Sequence, residues 1–161
     1  MTLGAIWAQS IDGIIGDGVG MPWHLPEDLK HFRQQTMGHV VLLGRKTWES
    51  LPSSVRPLPG RPNIVLTRDA LFEPDGALAV GCADAALAAS DEAPWVIGGG
   101  EIYTATLPLA DVLAVTEVDA DIVGDTRAPS IPAEFALEED AAWRESSSGL
   151  RYRHLTYRRE R

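Results

Sequence analysis

One carboxylate in this sequence lies where it could take part in chemistry. Asp28 belongs to the stretch MPWHLPEDLKHF. Pro26 suits the first turn of a helix, because its φ angle is already helical and its missing N–H would be unpaired there anyway. Leu25, Leu29 and Phe32 then recur at helical spacing as an apolar stripe. Asp28 shares a helix face with Phe32, and a carboxylate beside an apolar face is costly unless something pairs with it.

Spacing alone leaves two roles open for Asp28, and the histidines do not decide between them. A carboxylate in the first turn of a helix is favoured by the positive end of the helix dipole, so Asp28 could be structural rather than ligand-binding. His24, His31, His39 and His154 show no metal-ligand spacing. We therefore predict no metal site, and we expect each histidine to be a surface or packed residue rather than a catalyst.

Two predicted strand-to-helix turns are rich in glycine. The run VVLL ends at Gly44, and Arg45 begins a helix; the run WVI ends at residues 98–100, which are three glycines, and Glu101 begins another. Glycine lets the backbone approach a ligand closely, and N–H groups at a helix start bind phosphate oxygens. Tyr103 stands where the usual dinucleotide fingerprint needs glycine, and the first turn is not a P-loop. Phosphate binding is favoured over tight packing alone, and a nucleotide hydrolase is disfavoured.

Charge and composition limit the class of protein. The net charge of −9 argues against general nucleic-acid binding. Residues 45–68 nevertheless carry five basic side chains and one acidic one, whereas residues 111–140 carry nine acidic side chains and one basic one. A local basic segment in an acidic protein favours a small anionic ligand over ordinary surface charge. One cysteine, Cys82, allows no internal disulfide, and no apolar run reaches the length of a membrane span. We expect a soluble, cytoplasmic protein.

Short apolar runs alternate with helical patterns, which predicts an α/β fold with a mostly parallel sheet. The length of 161 residues favours one domain, over residues 1–161. The alternation at residues 150–159 predicts a last strand near a sheet edge. The predicted buried strands are 3–8, 40–43, 64–66, 95–97 and 112–115. The predicted helices are 26–35, 45–51, 83–89 and 101–107.

Several separated segments together resemble one enzyme family. They are IWA and GIIG near the N-terminus, the stretch around Asp28, GRKTWES, PLPGRPN, VIGGGEIY and GDT. In this order and spacing they resemble the lid loop, active-site helix, phosphate-binding turns, substrate arm and lid brace of bacterial single-domain dihydrofolate reductases. The resemblance implies a central sheet of about eight strands, mostly parallel, with about four flanking helices and an antiparallel last strand.

The resemblance also implies an activity. The expected reaction is the NADPH-dependent reduction of 7,8-dihydrofolate to 5,6,7,8-tetrahydrofolate, with hydride transfer and protonation of the adjacent ring nitrogen, in the service of one-carbon metabolism. The expected small molecules are dihydrofolate, NADPH and antifolate inhibitors. A monomer that binds neither nucleic acid nor membrane is expected.

For the substrate, the resemblance implies that Asp28 accepts two adjacent N–H donors of the pterin ring. A water is the expected immediate proton donor, with Asp28 fixing the orientation of the ring. Trp23 and Thr116 complete the catalytic set, and Arg61 binds the glutamate carboxylate of the substrate tail. The implied substrate-binding residues are Ile6, Ala8, Asp28, Leu29, Phe32, Leu51, Val55, Leu58, Arg61, Ile97 and Tyr103.

For the cofactor, the resemblance places Arg45, Thr67 and Arg68 on the adenosine 2′-phosphate, which predicts NADPH over NADH. It also implies a cis peptide bond between Gly98 and Gly99. The implied cofactor-binding residues are Ala8, Ile15, Gly16, Met21, Gly44, Arg45, Lys46, Thr47, Leu66, Thr67, Arg68, Gly81, Ile97, Gly98, Gly99, Gly100, Glu101, Ile102 and Tyr103.

One departure and two rival functions qualify the resemblance. Residues 127–129 read Arg-Ala-Pro where the family often has an aromatic residue and then proline, which puts the bracing of the glycine-rich lid loop in doubt. A same-fold pyrimidine reductase of riboflavin synthesis would share the glycine turns. A non-catalytic dinucleotide-binding module would keep them too. The reductase would lack Trp23, Asp28 and Phe32 in this arrangement, and the binding module would lack the buried aspartate. The presence of Asp28 therefore disfavours both.

Overall fold

The computed structural model describes residues 3–16, 25–121, 124, 126–139 and 141–160. Four residues about which the sequence analysis made predictions lie outside these ranges. They are Met21 and Trp23, expected on the cofactor and in the catalytic set, His24, expected to be at the surface or packed, and Asp125 of the expected lid brace.

One large sheet organises the described residues. Its strands are β1 (Gly4–Ser10), β3 (Val41–Gly44), β4 (Asn63–Leu66), β5 (Leu78–Val80), β6 (Trp95–Gly98), β7 (Val112–Asp119), β9 (Phe135–Glu139), β10 (Arg144–Glu145) and β11 (Arg151–Arg159). Their order across the sheet is β10-β11-β7-β1-β6-β3-β4-β5, and β9 pairs with β11 beside β10. The six neighbouring strands β7, β1, β6, β3, β4 and β5 run parallel to one another, and β11 is antiparallel to β7. The predicted α/β fold with an antiparallel last strand is confirmed.

Within the described ranges, four α-helices connect and cover these strands, in agreement with the prediction. They are α1 (Pro26–Thr36), α2 (Arg45–Ser50), α3 (Ala83–Ala88) and α4 (Gly100–Thr106). The first begins at Pro26, because a proline in the first turn loses no helical hydrogen bond. The second follows β3 directly after Gly44, and the fourth follows β6 after Gly99, so both glycine turns end at a helix start.

The core lies on both faces of the sheet, which explains the continuous apolar runs in its strands. One face buries a large cluster that includes Trp7, Leu42, Val96 and Leu113. On the other face, Ile6 packs with neighbouring strands and with Phe32 of α1. Helix α1 therefore covers the face that presents Ile6.

A second, two-stranded sheet includes the start of the expected lid loop. It pairs β2 (Ile14–Gly16) with β8 (Thr126–Arg127). The Ala128 N–H donates to the Gly13 carbonyl at 2.8 Å. The Arg127 guanidinium donates to the carbonyl of Asp12 at 3.2 Å. The segment that departs from the family pattern thus still contacts the lid loop, through backbone pairing and the arginine.

The first turn of α1 is fastened to the turn between β10 and β11. The Glu27 carboxylate accepts the Ser146 hydroxyl at 2.6 Å and the Ser147 N–H at 3.0 Å. These donors stabilise the ionised form and lower the pKa of Glu27 from 4.5 to about 2. The negative charge also suits the N-terminal end of the helix.

This contact predicts a pH-dependent contribution to stability. A depressed pKa in the folded state stabilises the protein above the unfolded value of 4.5, and the contribution is lost as the pH falls towards 2. Urea unfolding of the wild type and Glu27→Gln should therefore show a gap in unfolding free energy that is constant above pH 5 and smaller at pH 3. Glu73→Gln, at an exposed site, is the control. A Glu27→Gln gap of equal size at both pH values would contradict this assignment.

Candidate active site

The predicted site residues gather where the central parallel strands end. Strand β1 lies between β6 and β7. Strands β3, β4 and β5 lie on the β6 side of it, and β11 lies on the β7 side, so the order of the strands reverses at β1. Such a switch point leaves a crevice at the carboxyl ends of the strands, where α/β proteins bind ligands. Ala8, near the end of β1, pairs in register with Thr116 of β7. The glycines at the ends of β3 and β6 lie along the same edge.

Asp28 is bonded to the sheet from the first turn of α1. Its side chain is only 15 % exposed, and its Oδ1 accepts the Thr116 hydroxyl at 2.6 Å. A carboxylate has two oxygens and about four acceptor positions, so this bond leaves capacity for further donors. The structure thus brings together two members of the predicted catalytic set, a half-buried acceptor and its hydroxyl partner.

Two histidines adjoin Asp28, which the sequence analysis did not predict. His154 Nε2 lies 3.3 Å from Asp28 Oδ1, and the rings of His31 and His154 stack with centroids 3.7 Å apart. Burial, and then the neighbouring His154, lower the pKa of His31, against the opposing effect of Asp28. His31 follows Asp28 by three residues on a helix, a spacing that places both on one face. His154 becomes visible only through the register of β11, which sets it opposite Thr116.

Apolar side chains form the wall beside Asp28. Ile6, Phe32 and Ile97 belong to one packed cluster. Ile97 also contacts a second cluster that includes Leu51. Tyr103 is buried, and its hydroxyl donates to the Ile6 carbonyl at 2.6 Å, so its ring is fixed and burial raises its pKa.

Other predicted pocket residues lie further out. Leu29 is 64 % exposed and Val55 42 % exposed, so these two side chains face solvent in this structure. Leu58 is half-buried, and its N–H donates to the Asn63 side chain at 2.9 Å.

Arg61 is a buried cation held by neutral oxygens. Its Nη1 donates to the Thr36 hydroxyl at 3.0 Å and its Nε to the Pro59 carbonyl at 2.9 Å. Its guanidinium carbon lies 5.9 Å from the ring centroid of Phe32. Burial, and then Arg33, lower its pKa. The described contacts include no carboxylate, so the charge is positioned to attract an anion.

The two glycine turns adjoin each other. Leu43 of β3 pairs with Gly98 of β6. The peptide bond between Gly98 and Gly99 is cis, as the resemblance implies, and Gly98 has a φ of +141°, a backbone conformation that favours glycine. A Cβ atom on Gly99 would lie 3.3 Å from Thr47 Oγ1, and one on Gly44 only 2.8 Å from a carbon of Ile102. Side chains at these positions would crowd Thr47 and Ile102, so the glycines allow the two turns to pack closely together. Both turns also end at a helix start, where free N–H groups suit phosphate oxygens.

The residues predicted to bind the 2′-phosphate follow β3 and β4. Arg45 comes directly after β3, and Thr67 and Arg68 come directly after β4. Arg45 donates from Nε to Glu49 at 2.6 Å and from Nη1 to Asp69 at 3.0 Å. These bonds raise its pKa. Its guanidinium lies over the ring of Phe72, 4.2 Å from the centroid. Arg68 is exposed. The arginines are accessible, and Arg45 already holds two carboxylates.

The other residues predicted to bind the cofactor lie in three different settings. Thr67 donates its N–H to Val80 at 3.0 Å, and a Cβ on Gly81 would lie 3.9 Å from the Thr67 carbonyl, so these residues lie together. Three others pack partly against the main core, and two are exposed. Those packed are Ile15, Leu66 and Ile102. Those exposed are Lys46 and Glu101.

Comparisons with known proteins agree with this geometry. A family model described as dihydrofolate reductase matches residues 2–159. The chain is 50 % identical over 160 residues to the dihydrofolate reductase of Mycobacterium tuberculosis, covering 98 % of both chains. It is 48 % identical over 162 residues to that of Mycobacterium leprae, again covering 98 % of both.

A solved structure agrees as well. A dihydrofolate reductase from Enterococcus faecalis in complex with NADP(H) and RAB-propyl matches with a TM-score of 0.87 and 33 % identity, covering 99 % of this chain and 96 % of that one. Within the described part of the chain, no helix is long and apolar enough to cross a membrane, and no group of three or more candidate ligands could hold a metal. By its sequence and its fold, the chain belongs to the dihydrofolate reductase family.

Proposed function

We propose that the protein reduces 7,8-dihydrofolate to 5,6,7,8-tetrahydrofolate with NADPH. The observation that carries this proposal is the half-buried Asp28 carboxylate, bonded to Thr116 at 2.6 Å beside an apolar wall. A flat heterocycle with paired N–H donors matches such a site. The apolar wall can pack against the faces of the ring, and the carboxylate can accept hydrogen bonds from its two donors. Family membership and the glycine turns support the same reaction.

In this proposal the protein orients the pterin ring and supplies a negative charge beside it. Asp28 accepts the paired N–H groups of the pterin ring and keeps a negative charge near the ring as it gains a proton. Thr116 restrains the carboxylate by its hydrogen bond. A water delivers the proton to the ring nitrogen, since Asp28 faces the opposite end of the heterocycle. Trp23, outside the described residues, is proposed to complete this end of the pocket.

The residues proposed to hold NADPH are those of the two glycine turns and the adjoining arginines. When bound, the nicotinamide supplies the hydride. The N–H groups at Gly99 and Gly100 are proposed to bind phosphate oxygens. Arg45 and Arg68 are proposed to bind the 2′-phosphate, where a guanidinium forms two bonds at once.

We also propose an oligomeric state, a cellular location and a set of partners for the protein. We propose a monomeric enzyme of the cytoplasm, with all 161 residues in one domain. The excess of acidic side chains supports the absence of nucleic-acid partners. The pocket that takes the pterin ring is also the proposed site for antifolate inhibitors.

The proposed role of Asp28 can be tested by kinetics. The wild type should oxidise NADPH only when dihydrofolate is present, and Asp28→Asn should lower turnover at pH 7 about a hundredfold or more, because an amide cannot accept both ring donors. NADPH binding should not change. The measurement is the loss of nicotinamide absorbance, and the matched control is Asp84→Asn, which changes an exposed residue of α3. No dihydrofolate-dependent oxidation would refute the proposed function, and near-normal turnover of Asp28→Asn would refute this role for the carboxylate.

Arg45 and Arg68 should determine the preference for NADPH over NADH. Loss of a charge-assisted hydrogen bond costs about 1.5–3 kcal/mol, so Arg45→Ala and Arg68→Ala should each weaken NADPH binding roughly ten- to a hundredfold. NADH lacks the 2′-phosphate and should bind as before. Fluorescence titration with both cofactors tests this, with Arg144→Ala on exposed β10 as the control. Equal losses for the two cofactors would place these arginines away from the 2′-phosphate.

Arg61 should bind the carboxylate of the substrate tail. Arg61→Ala should raise KM for dihydrofolate about ten- to a hundredfold and leave kcat nearly unchanged, because the tail does not react. A pterin substrate without the glutamate tail should be affected much less. Steady-state kinetics on both substrates separate these outcomes. An equal rise of KM on the tailless substrate would show that Arg61 acts on the fold of the pocket and not on the tail.

A further inference from the structure

The Arg45 guanidinium, proposed to bind the 2′-phosphate, already donates from two of its three nitrogens. Its Nε donates to Glu49 at 2.6 Å and its Nη1 to Asp69 at 3.0 Å. A phosphate bound in a fork needs two neighbouring N–H groups of the guanidinium. Among the described residues, Nη2 is the one nitrogen that donates to no carboxylate, so either fork includes a nitrogen that a carboxylate already uses.

The two carboxylates are held in different ways. Glu49 follows Arg45 by four residues on the same helix, which is the usual spacing of an exposed ion pair. Asp69 comes from the loop after β4 and is fixed by that loop, because its Oδ1 accepts the Leu71 N–H at 3.0 Å. An aspartate that bonds to the backbone two residues further on is held in a turn. The Asp69 carboxylate therefore stays beside Arg45 as long as this turn is intact.

Asp69 also adjoins the other residues that are predicted to bind the 2′-phosphate. Thr67 and Arg68 directly precede it, and its N–H donates to the Thr67 hydroxyl oxygen at 3.2 Å. The Leu71 N–H, and then Arg45, lower the pKa of Asp69, so the carboxylate is charged at neutral pH. The side chains of Arg45 and Asp69 are 39 % and 48 % exposed, so an anion from solvent can reach the pair.

Loss of the Asp69 carboxylate would affect Arg45 in two opposite ways. It would loosen a flexible side chain, which disfavours ligand binding, and it would release Nη1 as a donor. Glu49 restrains the same guanidinium at 2.6 Å, so the restraint by Asp69 is partly redundant. The fork that Nη1 forms with Nη2 has no such substitute, because the other fork includes the Nε that Glu49 uses. The balance therefore favours tighter binding of a 2′-phosphate when Asp69 is removed.

We propose that Asp69 is a specificity-determining residue that competes with the 2′-phosphate of NADPH for Arg45, and so reduces the preference for NADPH over NADH. This rests on the proposed function, in which Arg45 binds that phosphate. NADH carries a hydroxyl group in place of the phosphate and leaves the contact between Asp69 and Arg45 intact. NADP⁺ carries the same phosphate as NADPH, so Asp69 weakens the binding of both forms of the cofactor.

Cofactor binding by Asp69→Asn tests the competition. The variant keeps one oxygen for the Leu71 N–H, and its amide nitrogen cannot accept the bond from Arg45. Because exposed ion pairs are weak, NADPH should bind about two- to fivefold more tightly to the variant, and NADH should bind as before. Fluorescence titration measures both, and the gain should shrink in concentrated salt, which screens the pair. Unchanged or weaker NADPH binding, or an equal gain for NADH, would overturn the proposal.

Two further variants separate competition from other effects. Asp75→Asn makes the same change at an exposed aspartate in the same connection between β4 and β5, and it should bind NADPH like the wild type. A gain equal to that of Asp69→Asn would mean that total charge is responsible, and would contradict the competition. Asp69→Ala adds no amide donor and should also gain affinity for NADPH. A gain confined to Asp69→Asn would mean that the new amide binds the phosphate, which is incompatible with the proposal.

The second test uses cofactor fragments that cannot be reduced. Adenosine 2′,5′-bisphosphate and 5′-AMP differ only in the 2′-phosphate, and calorimetry measures the binding of each. Asp69→Asn should bind the bisphosphate more tightly, and most of this gain should vanish in the Arg45→Ala background, because the two residues then no longer interact. A gain of equal size in both backgrounds would show that Asp69 does not act through Arg45.

The single variant Arg45→Ala distinguishes the two levels of the argument. If it binds the bisphosphate less tightly than the wild type does, Arg45 binds the phosphate, and the Asp69 variants then decide the competition alone. If it binds the bisphosphate equally well, the phosphate lies elsewhere, and the inference about Asp69 fails with that placement. Neither result depends on the reduction of dihydrofolate, so the proposed reaction is tested separately.

Discussion

Two adjacent carboxylates in the first turn of α1 attach that helix to separate parts of the sheet. Glu27 bonds to Ser146 and Ser147 in the turn between β10 and β11, whereas Asp28 bonds to Thr116 within β7. Neighbouring positions on a helix point about 100° apart, so the two bonds fix both the position and the rotation of α1. The whole wall of the crevice that α1 supplies depends on this attachment.

The same attachment explains why polar groups are tolerated in an apolar setting. A half-buried carboxylate is costly when unpaired, and Thr116 partly compensates for that cost without adding charge. His154 Nε2 lies 3.3 Å from the same oxygen of Asp28. The pocket thus combines an apolar wall, formed by Ile6, Phe32 and Ile97, with one polar corner whose groups depend on one another.

Much of the fold and of the candidate site could be predicted from the sequence, wherever the pattern that indicates an element lies within a short stretch of chain. The glycine turns, the proline at the start of α1 and the continuous apolar strands were each recognisable within ten residues. The short strands β9 and β10 could not be predicted, because they exist only through pairing with β11. The sequence predicts only a packed or surface role for His154, for the same reason. Its neighbour Asp28 is more than a hundred positions away, and the antiparallel register of the last strand brings them together.

The ion pairs of Arg45 bear on how the proposed 2′-phosphate site would select an anion. The guanidinium donates to Glu49 and Asp69, and these two contacts leave other N–H donors of the side chain for a ligand. An anion at this corner would meet those donors and two nearby carboxylates together, so the attraction of the arginine would be partly offset by repulsion. Selection would then depend on how well the anion fits the guanidinium that Phe72 holds in place, more than on total positive charge.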